Sequence, residues 1–146
     1  MKYICDAPAD RAGGDRTWFQ LETEGEAFAE SEIMGHALEK YFRREQEQAA
    51  SNYKPLTTVF IEQDIGLKDH IRRSTPLFLT LRDMDGKGLA SAMLPPGGQD
   101  IQGFRIIIVG PRNADPYTAH GDAIAALGQH FSLVLERLRC FPYQRG

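Results

Sequence analysis

Two strand-like runs, Leu77–Arg82 and Leu89–Leu94, flank the hexapeptide Asp83-Met84-Asp85-Gly86-Lys87-Gly88. Segments joined by so short a glycine-containing turn close as an antiparallel hairpin, because a parallel crossover needs a dozen or more residues. Gly86 and Gly88 are expected to supply positive φ in the turn. Pro95-Pro96-Gly97-Gly98 opens a connection through Gly103, and Phe104–Val109 (FRIIIV) then forms a nearly continuous apolar run. Such runs suit strands covered on both faces, so the spacing predicts a three-stranded meander over about 77–109 with FRIIIV at the centre of its sheet.

The flanking segments add helices. Lys2–Asp6 and Thr17–Glu22 read as a further hairpin, in which Trp18 interrupts an otherwise polar face. Thr23 and Glu26 have capping-box spacing, and Ile33, Met34, Ala37, Leu38, Tyr41 and Phe42 form a wide apolar stripe, so one long helix is expected up to about Ala50–Tyr53. Thr57–Gln63 (TTVFIEQ) is β-branched and aromatic and reads as a short strand, followed by a brief helix, Ile65–Arg73, capped by Asp64 and stopped by Pro76. Asp115-Pro116 reads as the start of a second long helix whose apolar positions run from Ile124 to Leu138. The expected order is β-β-α-β-α-β-β-β-α: an α+β fold with a mainly antiparallel sheet, two long amphipathic helices and one short helix. With no repeat and no long linker, residues 1–146 are expected to form a single domain.

Composition narrows the function classes. The chain has 146 residues, 42% hydrophobic and 25% charged, and a net charge of −3, which argues against a whole-molecule electrostatic grip on nucleic acid or anionic lipid. No apolar run approaches the roughly 18 residues of a membrane helix, and the N-terminal MKYICDAPADR has no signal-peptide core, so a cytoplasmic protein is expected. Cys5 and Cys140 match no zinc or redox spacing and are expected as reduced thiols. Asp83-x-Asp85-Gly86 begins like a calcium loop, but Leu94 stands where the twelfth-position glutamate belongs, so turn chemistry is the simpler reading. No histidine pair or Cys/His cluster supports a metal, and no cofactor signature is present, so neither is expected.

The region with most chemistry is 104–122, FRIIIVGPRNADPYTAHGD. A strand, a loop and a helix N-terminus follow one another there, and free N–H groups beside guanidinium groups attract anions. Arg105, Arg112, Asn113 and Tyr117 are the candidate ligand- or anion-binding residues. His120 precedes Ile124 by four and Leu127 by seven, which predicts a partly buried imidazole on the core side of the helix and makes it the candidate catalytic base. His36, between Glu32 and Lys40, reads as solvated or ion-paired. His70 reads as a surface residue and His130 as a boundary one.

The hairpin DMDGKGLASAML, the strand IIIVGP and Thr118-x-x-Gly121-x-Ala123 at a helix start together resemble the acyl-CoA-binding segment of the GNAT acetyltransferases over roughly residues 83–127. Thr118 stands where that family has Gln or Arg, and the helix begins later after the strand. The resemblance implies acyl transfer. No complete catalytic signature accompanies it, so the leading expectation is a non-catalytic ligand- or protein-binding module acting as a homodimer. Small-residue approach points at Ala125 and Gly128 motivate the self-association, and the partner is a small anionic ligand or a protein. The alternative is a small acyl-transfer or hydrolytic enzyme. Neither a membrane nor nucleic acid is an expected partner.

Overall fold

Leu77–Arg82 (β3) and Gly88–Leu94 (β4) pair antiparallel in the computed structural model, which describes residues 1–7, 15–53 and 60–143, and for 60–65 the backbone alone. Asp83 builds the turn: its Oδ1 accepts the N–H groups of Asp85 at 3.0 Å and Lys87 at 2.9 Å, while Gly86 takes φ 80°. Gly88 differs from expectation. It opens β4 without positive φ, and a Cβ there would meet the Met34 sulfur at 2.7 Å, so its smallness lets a helix approach the strand.

Lys2–Ala7 (β1), Arg16–Leu21 (β2) and Ile107–Val109 (β5) complete a five-stranded antiparallel sheet in the order β1-β2-β3-β4-β5. The chain is an α+β protein whose described helices are Glu24–Met34 (α1), Leu38–Ser51 (α2), Phe60–Ser74 (α3) and Tyr117–Phe131 (α4). The observed order is β-β-α-α-α-β-β-β-α. Phe60–Gln63, expected as strand, belongs to α3, because a short apolar run carries no period long enough to separate strand from helix. Thr57–Val59 lie outside the described residues. Asp64 accordingly falls inside α3 and does not cap it.

FRIIIV is not central. Only Ile107–Val109 pair, and they form the sheet edge beyond β4. Their apolar character reflects cover on both faces: Ile108 lies in the cluster with α4, and Ile107 packs against the cluster formed with α1 and α2. The same two-sided cover explains Trp18, which is fully buried and donates its indole N–H to the Ala123 carbonyl of α4 at 2.9 Å.

Two helix boundaries also move. The Thr23/Glu26 capping box forms, but the first long helix breaks at Gly35, which is left-handed (φ 65°, ψ 42°) and donates its N–H to the Ser31 carbonyl. At the far end α4 stops at Phe131, with Ser132 left-handed. The chain then folds back so that Leu133 N–H bonds to the Gly128 carbonyl at 2.8 Å. Leu138 is therefore exposed, not part of a helical stripe, and Gly128 makes room for the chain's own Leu133–Leu135 return.

The two faces are built differently. On the α4 side Trp18, Leu79, Leu81, Ala92, Ile124 and Leu127 make an apolar core. On the other side Phe42 stacks near Phe78, with ring centroids 5.2 Å apart, but the sheet centre beneath α1 is polar. There Glu30, fully buried, accepts from Thr80 Oγ1 at 2.8 Å and Ser91 Oγ at 3.0 Å and pairs with Arg82, whose Nε donates to Thr80. Removing one member of a buried ion pair strands the other charge. Glu30→Ala is therefore expected to cost about 3–5 kcal/mol in urea unfolding, whereas Glu47→Ala, on the exposed surface of α2, changes stability by less than about 0.5 kcal/mol.

Candidate functional site

The break at Gly35 puts His36 between two helices and over β4. Its Nε2 lies 2.9 Å from Ser91 Oγ, and its Nδ1 faces the Leu38 N–H at 3.3 Å. The proton positions follow from what each partner can do. A backbone N–H only donates, so Nδ1 is bare. Ser91 gives its own proton to the Glu30 carboxylate, so its oxygen must accept from Nε2–H. His36 is thus a neutral imidazole fixed in one tautomer. Burial holds its pKa below the ordinary 6.5, with the Glu30 charge opposing that shift. The expectation of a solvated or ion-paired His36 is corrected, because the helix carrying Glu32 ends at Gly35 and does not continue to Lys40.

The β5–α4 connection folds over the same turn. Gly110 donates its N–H to the Ala114 carbonyl at 2.7 Å, closing a short 3₁₀ turn in which Arg112 (φ 58°) and Asn113 (φ 62°) are successively left-handed. Left-handed backbone is unusual at a non-glycine residue and costs most where, as at Arg112, no short polar side chain helps. The Arg112 Cγ runs so close to Gly35 that a Cβ on that glycine would sit 3.3 Å from it. The C-terminal tail supplies the last wall. Phe141 N–H bonds to the Ile106 carbonyl at 2.7 Å and its carbonyl accepts from Ile108 at 3.3 Å, making a single parallel bridge on the outer edge of β5.

These pieces enclose a cleft of about 330 Å³. Met93, Ile107 and Val109 come from the sheet, His36, Ala37, Leu38 and Tyr41 from the α1–α2 turn, and Asn113, Phe141 and Pro142 from the loop and tail. Its volume lies at the small end of small-molecule sites, and its lining is mostly apolar, with the His36 imidazole, the Tyr41 hydroxyl and the Asn113 amide as its polar side-chain groups.

Of the residues expected from sequence, Asn113 lines this cleft, and Arg112 is its neighbour in the same turn. Arg105 is exposed, with its guanidinium 4.8 Å from the centre of the Phe141 ring. Tyr117 faces elsewhere: its hydroxyl donates to the Leu135 carbonyl at 2.8 Å and its ring meets Tyr143 edge-on. Burial drives its pKa well above the usual phenol range. His120 is half-buried at a kink in α4 (φ −129°), with Nδ1 3.0 Å from Arg16 Nη1, and Arg16 also pairs with Asp122 at 2.5 Å. That group lies near the β1–β2 end of α4, and none of its members lines the cleft. At the α4 N-terminus Asp115 accepts the Tyr117 N–H at 2.9 Å and pairs with Arg137, so an anionic side chain already occupies that helix end.

His36, Tyr41, Met93 and Phe141 were not among the expected site residues. Gly35 was the available signal, a helix-stopping residue directly before a histidine. Among the described residues no three His, Cys, Asp or Glu side chains are grouped to hold a metal, and no helix is long and apolar enough to cross a membrane. The chain matches no protein-family model, no curated protein and no solved structure.

The state of His36 has a measurable sign. Above pH 6.5 the imidazole is neutral in both folded and unfolded chains, and its contribution to stability is full. As pH falls toward the lowered folded value the unfolded chain takes the proton first, so stability declines. Urea unfolding between pH 7.5 and 5 should record this loss, and His36→Gln should flatten that part of the profile. An unchanged slope would place the proton-sensitive group elsewhere.

Proposed function

We propose that this chain is a non-catalytic binding module whose cleft between the α1–α2 turn and the β4–β5 edge takes a small, mainly apolar ligand. The observation that carries this reading is the hydrogen bonding of His36. Both ring nitrogens are engaged inside the protein, one with Ser91 and one with the Leu38 amide, so the imidazole in the cleft is a fixed polar marker and not a free base. Apolar walls with few oriented polar groups are the usual composition of a ligand pocket. A neutral, environment-sensitive dye such as Nile red should brighten and shift blue on binding. Ala37→Phe, which adds a ring at an exposed wall position, should reduce its affinity at least about tenfold, a loss of about 1.4 kcal/mol. Equal binding by wild type and variant would remove the cleft from the proposal.

Self-association belongs to the same reading. Ile101, Val134 and Leu138 are exposed beside one groove with Phe104 and Ile106, more apolar side chains than an isolated surface needs. Sedimentation at tens of micromolar should detect a dimer that the Val134→Lys/Leu138→Lys variant loses, and a strict wild-type monomer would end this clause.

Acyl transfer is the second reading, favoured by the position of the cleft against the IIIVGP strand that resembles the acyl-CoA-binding segment of the GNAT acetyltransferases. Thioester consumption with an added amine is its test, and His120→Ala decides whether that imidazole takes part.

A further inference from the structure

Three arginines adjoin residues that line the cleft, and two of them lie over its aromatic side chains. Arg105 lies over the face of Phe141 with 4.8 Å between guanidinium carbon and ring centre, and Arg44 lies over Tyr41 at 5.1 Å. Both rings line the cleft and both are partly exposed, 39% for Phe141 and 36% for Tyr41, so they form its outer part and not its floor. Arg112 adjoins Asn113 in the loop wall, with its stem against Gly35. Arg44 has the Glu45 carboxylate 3.9 Å away. Arg105 and Arg112 have no ion-pair partner among the described residues. The buried Glu30 carboxylate near the turn is committed to Arg82 and two hydroxyls.

We infer that the ligand is a small amphiphilic anion, an alkyl or acyl carboxylate whose apolar chain fills the cleft and whose head meets Arg105 and Arg112. This rests on the binding-module reading and specifies its ligand. Two complementarities combine. The lining offers Met93, Ile107 and Val109 to a hydrocarbon chain, and beside the lining residues Phe141 and Asn113 stand the guanidinium groups of Arg105 and Arg112, planar donors of the kind that match a carboxylate in two bonds. The contact of Arg105 with the Phe141 ring takes up no hydrogen-bond acceptor, so its N–H groups remain available to an anion. A cleft of about 330 Å³ is at the small end for small-molecule sites, so a medium-chain acid is the appropriate probe.

The test compares sodium octanoate with 1-octanol by calorimetry at low and high salt, in wild type and in the Arg105→Gln/Arg112→Gln variant, whose thermal unfolding is checked first. Octanoate is expected to bind wild-type protein about fivefold or more tightly than octanol, a margin consistent with partly exposed ion pairs. The double variant should lose that margin while its octanol affinity stays the same, and about 0.5 M salt should shrink it in wild type. Equal binding of acid and alcohol to wild type would overturn the anion preference and leave the apolar cleft standing. A margin that survives the double variant would overturn the assignment to these arginines. If neither compound binds, the binding-module reading fails with the inference built on it.

Discussion

A carboxylate with no access to water organises one face of this protein. Glu30 projects from α1 onto the sheet and receives Thr80, Ser91 and Arg82, one residue from the middle of β3, one from the facing position of β4 and one from the end of β3. Desolvating such a group is expensive, and it is tolerable only because every partner donates to it. The arrangement fixes the height and rotation of α1 more narrowly than an apolar contact could, since greasy surfaces slide and directional bonds do not. Gly88 completes the fit by letting Met34 settle against β4. The turn after α1 inherits that position, and through Ser91 the same network reaches His36.

The site is therefore a by-product of how the helix layer is anchored. Once Gly35 turns left-handed above β4, α2 leaves at an angle that keeps Leu38 and Phe42 on the sheet and lets Tyr41 stand at its margin. The opposite layer is packed differently. There α4 meets the sheet through small and branched side chains, Ala90, Ala92, Ala123 and Ile124 among them, all buried to within a percent or so of completely.

Legibility in the sequence followed the range of the interactions involved. The hairpins, the Thr23/Glu26 box and the α+β class were readable because each rests on neighbours within a few residues. The position of FRIIIV was not, since an apolar run reports how many faces are covered and is silent on how many strands lie beside it. The break at Gly35 was visible as a residue but masked by the apolar period running through Ile33 and Met34 to Leu38, a pattern that an uninterrupted helix and two helices in a bend share. His36 illustrates the same limit: its role depends on Ser91, 55 residues away. For His120, the predicted partial burial agrees with the structure, whereas its partner Arg16, 104 residues earlier, could not be read from helical spacing. Asn113 came from a local argument about loops between strands and helices, and such arguments reach only the half of a site that is continuous in sequence.

The walls of the cleft come from positions 36–38, 41, 93, 107, 109, 113 and 141–142, so it is assembled from segments widely separated along the chain. A polypeptide emerging from the ribosome cannot own this cavity until Phe141 has reached the edge of β5, long after α1 and the central hairpin are available to form. Any molecule held there would favour the folded arrangement of all these segments together over every partly folded alternative.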